Sequence, residues 1–151
     1  MIVARRSRSP GDPEAGFTLV ELLVVIIIIG ILSAIAIPAF LNQRKKAADG
    51  SARADIHNLS KFQEVLLIDQ GRYGMLAEID AQQSQYNPSP GVQVTVVRYV
   101  SSQAYCLSAK HRGSSTTWYY DNAAGGLQDA TATGCPITSS GGLAGDSRTG
   151  I

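Results

Sequence analysis

The chain is short of the residues that carry chemistry. Its 151 residues include two cysteines, two histidines, two methionines and one tryptophan. His57 and His111 have no evident acidic partners in the sequence. No nucleophile motif frames any of the many serines, so no catalytic constellation is visible. Two cysteines and two scattered histidines do not make a metal ligand set, and no cofactor is implied. Charged residues are 17% of the chain and the formal net charge is +1. Nothing in that balance suggests the concentrated basic face expected of a protein that binds nucleic acid directly. No internal repeat is present. The most informative absence is local: from Leu22 to Gln43 there is no charged side chain. Such a stretch matches the roughly 20 residues that cross a hydrocarbon core about 30 Å thick.

What is there begins just ahead of that run, with Gly16-Phe17-Thr18-Leu19-Val20-Glu21. Glu21 is a carboxylate at the head of a segment otherwise built for lipid. Insertion scales put that at about 2.5–3.5 kcal/mol, so Glu21 needs a reason to be there. Residues 1–16 contain Pro10, Gly11 and Pro13, show no apolar periodicity and read as an unstructured leader. Residues 17 to about 43 read as a helix. Gly30 and Pro38 weaken it, and Pro38 predicts a kink rather than a stop. Arg5, Arg6 and Arg8 flank one end of the apolar segment and Arg44, Lys45 and Lys46 the other, so flanking charge does not orient it.

Beyond Lys46 the register changes. Ala48, Ala52, Ile56, Leu59, Phe62 and Leu66 recur at steps of three and four, one amphipathic helical face. Asp55, Asn58, Lys61 and Gln63 lie largely off that face, and Gly71 is a stop signal. One helix therefore runs from 17 to about 70. A connector rich in glycine and proline follows, in which Met75–Ile79 suggests a short helical turn. Val92, Val94 and Val96 alternate with Gln93 and Thr95 in a strand continuing through Tyr99 and Val100. Tyr105–Ala109 and Thr116–Tyr120 are further strands, with a hairpin turn over 111–115. Trp118, Tyr119 and Tyr120 read as a strand with alternate rings buried, or else as an exposed adhesive patch. Asp121, Asn122 and Asp129 fit no compact calcium loop and read as turn residues. A weakly ordered tail is expected from about Ser139.

The opening resembles the class III signal of type IV prepilins and of their relatives, the pseudopilins of type II secretion and competence systems. The residues that carry this are Gly16, Phe17, Thr18-Leu19, Glu21, the run Leu22–Leu32 and Pro38. The resemblance implies cleavage between Gly16 and Phe17 and N-methylation of Phe17. It implies that Glu21 balances the new amine of a neighbouring subunit, and that the stretch between Gly30 and Pro38 can lose helical hydrogen bonding on assembly. It also places the leader in the cytoplasm and the head outside. There Cys106 and Cys135, 29 positions apart, form by default a disulfide like the one that encloses the carboxy-terminal region of many pilins.

The expected fold is α+β: a long N-terminal helix, hydrophobic and then amphipathic, packed on a small antiparallel sheet. The expected organisation is a leader (1–16), a transmembrane or filament-core helix (17–43) and an extracytoplasmic head (44–151). The expected function is structural: a type IV pilus subunit that polymerises through its helix and is not an enzyme. Implied partners are copies of itself, a prepilin peptidase and methylase, an assembly-platform membrane protein with its ATPase, and minor pilins. The precursor would sit in the cytoplasmic membrane before reaching a surface pilus or a periplasmic filament. One alternative is a major pseudopilin of a secretion or competence system. Another is a secreted binding or enzyme domain behind an ordinary signal peptide, since Ala34-Ile35-Ala36 offers a cleavage pattern that would make Ile37 the first residue.

Overall fold

The computed structural model describes residues 16–82, 86–100, 102–135 and 143–150. The leader reading for 1–15 lies outside the described residues. Helix α1 spans Leu19–Gln70, 52 residues that continue through both Gly30 and Pro38. It ends where Gly71 takes a φ of 71° and donates its N–H to Leu67 O at 2.8 Å. That left-handed conformation suits glycine, which has no Cβ to clash. A short helix α2 (Leu76–Gln82) follows. The strands are β1 (Val92–Val100), β2 (Ala104–His111), β3 (Thr117–Asp121), β4 (Gly126–Leu127), β5 (Leu143–Ala144) and β6 (Ser147–Thr149). They form one antiparallel sheet in the order β4-β3-β2-β1-β5, with β6 also paired to β1.

The chain divides into two compact units at Ala39 and Phe40. In the first, the apolar side chains of α1 are open to their surroundings: Leu22 to Leu32 expose about half or more of their surface. In the second, the later part of α1 packs on the sheet. Ala52, Ile56, Leu59 and Leu66 join Val92, Val94, Val96, Tyr105, Leu107 and Ala109 in one apolar core. The three-and-four spacing of the helix and the two-residue alternation of β1 bring these faces together.

The structure departs from the sequence reading in three places. Asp55 and Gln63, largely off the apolar face by pattern, are nonetheless buried. Gln63 donates to Gly74 O at 2.7 Å and accepts from Gly74 N at 3.1 Å, tying the connector to the helix. The Asp55 carboxylate accepts from Ser89 N at 2.7 Å and Ser89 Oγ at 3.1 Å. A buried polar group with its bonds made costs little, and these have theirs. Second, the alternation of β1 does not run straight through. A bulge between Val96 and Arg98 leaves Val97 exposed and re-phases the strand so that Tyr99 is buried. Third, residues 143–150 are not a loose tail. β5 and β6 extend the sheet along β1, and Arg148 reaches α2 and the segment after it.

Candidate functional site

The head of α1 is a reciprocal cap. Gly16, Phe17 and Thr18 precede the first helical residue. Glu21 N donates to Thr18 Oγ1 at 3.2 Å, while Thr18 N and Thr18 Oγ1 donate to Glu21 Oε2 at 3.0 and 2.9 Å. This is the capping box of a T-x-x-E sequence, which satisfies helix-end donors from both sides. Sequence reasoning gave Glu21 a role between subunits and no partner in its own chain. Thr18 is that partner, and the T-x-x-E spacing was the signal that could have found it. The cap holds Glu21 at the first turn beside Phe17, which is 88% exposed.

Gly30 and Pro38 lie further along the same helix. A Cβ at Gly30 would meet nothing within 4 Å, so no contact within this chain requires glycine there. Pro38 brings no N–H to the ladder, and α1 continues across it. The helix is apolar and long enough to cross a membrane.

In the head, Cys106 on β2 and Cys135 are joined as a disulfide with Cα atoms 6.0 Å apart. It anchors the segment after β4 to the sheet. Of the three residues weighed as calcium ligands, Asp121 and Asp129 serve turns and Asn122 ties the end of β3 to β2. Asp121 Oδ1 accepts from Ala123 N and Ala124 N, and Asp129 Oδ1 accepts from Thr131 N. Asn122 Oδ1 accepts from Tyr105 N at 2.8 Å. No group of three or more candidate metal ligands occurs among the described residues. Trp118 and Tyr120 pack against the core, each only partly buried. Arg53 stacks 4.8 Å above the Trp118 ring.

Sequence reasoning also missed a clasp on α2. Asp146 Oδ1 and Oδ2 accept from Leu76 N at 2.7 Å and Ala77 N at 3.1 Å, an acidic cap supplied from 70 residues away. Arg148 donates to Asp80 and, at 2.7 Å, to Tyr86 O. The hydrogen bond and charge of Arg148, with a hydrogen bond donated by Tyr86 N, hold the Asp80 carboxyl below its usual range, against an opposing push from burial. Nothing in the local pattern around Asp146 or Arg148 signals these contacts.

A capped apolar helix with a lone carboxylate in its first turn, carried on an α+β head, defines a class. Residues 12–37 match the family model for the prokaryotic N-terminal methylation motif. The chain is 38% identical over 104 residues to the type IV wide pilus major component PilA4 of Thermus thermophilus, covering 69% of this chain and 78% of that protein. It is 35% identical over 63 residues to the type II secretion system core protein G of Pectobacterium carotovorum, covering 42% of this chain and 40% of that protein. It is 39% identical over 62 residues to the type IV major pilin protein PilA of Myxococcus xanthus, covering 41% of this chain and 28% of that protein. The chain belongs to the family of type IV pilins and pseudopilins. It is a structural filament subunit, not an enzyme. Membership carries with it processing by a prepilin peptidase and assembly as a homopolymer.

Proposed function

We propose that this chain is the repeating subunit of a type IV pilus. The observation that carries this reading is the match to a wide-pilus major component over 104 residues, which is longer than the methylation motif and so includes part of the head. A pseudopilus is the second reading, favoured by the shorter matches to core protein G. In our reading residues 1–16 are a cytoplasmic leader removed between Gly16 and Phe17, and the new Phe17 amine is methylated. Residues 17–43 hold the precursor in the cytoplasmic membrane and later form the filament core, and 44–151 face outward. A platform membrane protein with its ATPase extracts subunits, and minor pilins join the assembly. The contact between subunits is heterologous and does not close, which generates a filament.

Glu21 is assigned to the Phe17 amine of the adjacent subunit, the two charges compensating in a dry helix bundle. The Thr18 cap offers a competing account, that Glu21 serves only its own helix. Glu21→Gln separates them. Glutamine still fits the capping box but carries no charge. Stranding a buried amine without its counter-charge typically costs about 3–5 kcal/mol. The variant should therefore be inserted and cleaved normally yet give few or no filaments by electron microscopy. Abundant normal filaments from a homogeneous variant population would leave capping as the whole role of Glu21.

A further inference from the structure

The solvent-facing side of the sheet ends in a cationic groove. Strand register sets Thr149, Gln93, Lys110 and Thr117 side by side across β6, β1, β2 and β3. Gln93, Lys110 and Thr149 are exposed, while Val92 and Val94 on the alternate positions are buried. Arg112 and Ser114 follow from the turn after β2. With Gly91 and Gly150 these residues, Thr117 excepted, line a groove of about 450 Å³, within the usual range for small-ligand sites.

Glycine shapes its floor. Gly91 has a φ of 79°, and a Cβ there would come within 2.9 Å of Arg112 Nε. A Cβ at Gly150 would run into the carbonyl oxygens of Pro88 and Ser89. Arg112 therefore lies across bare backbone, its own N–H bonded to Gly91 O at 2.9 Å. Three other arginines of the head have uses: Arg72 pairs with Glu78, Arg148 with Asp80, and Arg53 covers Trp118. Among the described residues, neither Lys110 nor Arg112 has an ion pair and no carboxylate lines the groove.

We propose that this groove binds an acidic carbohydrate, through a uronic acid unit whose carboxylate sits between Lys110 and Arg112. A guanidinium and an ammonium together take a carboxylate by charge-assisted hydrogen bonds. Gln93, Ser114 and Thr149 supply both donors and acceptors, which is what ring hydroxyls require. The lining has no aromatic ring on which a nucleobase could stack. Two cations are also fewer than the run of phosphate contacts that holds a duplex. All the lining residues belong to the head.

The test uses the mature full-length chain in detergent, titrated calorimetrically with an alginate tetrasaccharide, with neutral cellotetraose and with a short DNA duplex. Saturable binding of alginate that weakens with added salt is expected, with no binding of cellotetraose. The double variant Lys110→Gln, Arg112→Gln replaces two exposed side chains, and circular dichroism checks that it remains folded. It should lose roughly tenfold or more in affinity, the effect of removing two charged hydrogen-bond donors. Lys61→Gln, an exposed cation on α1, should bind like the parent. Absence of alginate binding, equal binding of cellotetraose or full affinity in the double variant would overturn the proposal. Tighter binding of the duplex, lost in the same double variant, would reassign the groove to nucleic acid and overturn it too.

Discussion

Single side chains at the two extremes of the chain divide its tasks. At the amino end, Gly16 is expected to let extended backbone approach a peptidase closely, since it has no side chain. Gly16→Val adds a branched group at the scissile position. Unprocessed precursor should then accumulate in the membrane, visible as the slower band on an immunoblot, and mature-sized protein in that variant would contradict the assignment of the cut. At the carboxyl end, Arg148 holds Asp80. A carboxyl whose folded-state pKa is lowered contributes its full stability above the unfolded value near 3.9, and loses it as pH falls through the folded value. The clasp should therefore loosen on acidification below about pH 4. Because the pair is part-exposed, Arg148→Gln should cost only about 1–2 kcal/mol at neutral pH. It should also flatten this part of the acid dependence, as measured by urea unfolding of the chain in detergent between pH 7 and pH 2.

At the scale of elements, α2 shows how little local sequence can hold a short helix. Seven residues are too few to be stable alone. Its first amides are capped by Asp146, and its Asp80 is held by Arg148, both from the last described segment. Glu78 adds a local contribution by accepting from Met75 N at 2.8 Å and pairing with Arg72. Asp146→Ala should cost about 1 kcal/mol, the usual effect of losing a cap. The loss should be localised. Hydrogen exchange at the Leu76 and Ala77 amides should accelerate while amides in the centre of β1 and β2 keep their protection. Uniform acceleration across the head would mean that the clasp is coupled to global unfolding instead.

For the whole molecule, the disulfide matters because the head is small and its core thin. Cys106 and Cys135 are 29 positions apart. In the chain-entropy model, closing such a loop in the unfolded state contributes about 3–4 kcal/mol. Replacing both cysteines by serine should lower the melting temperature of the chain in detergent markedly and leave processing at Gly16 unchanged. Non-reduced peptide mass spectrometry should recover the crosslinked pair from the parent chain. Two alkylatable thiols in protein purified from the cell surface would contradict it. The same molecule leaves the apolar side chains of α1 open along its first half. A surface of that extent is stable only in lipid or against other copies, which agrees with a filament subunit.

The sequence alone determined whatever depends on neighbours within a turn or two. The uncharged run from Leu22, the helical face from Ala48 to Leu66, the Gly71 stop and the alternation at the start of β1 are local patterns, and each is legible in the sequence. So was the head of α1 in outline, though its T-x-x-E cap went unread. Only the tertiary structure decided the fate of groups whose partners are distant. Gln63 and Asp55 are polar residues on a helix, and by pattern they belong to solvent. They are buried because Gly74 and Ser89 arrive to complete their hydrogen bonds. Ser147–Thr149 has no apolar alternation, yet it is a strand because β1 offers an open edge to pair with. Asp146 and Arg148 act on α2 across about 70 positions of chain. The bulge after Val96 re-phases β1 because the sheet has to present Tyr99, not Arg98, to the core. Hydrophobic periodicity encodes which face of an element is buried. It does not encode which distant backbone comes to satisfy the polar groups taken in with it.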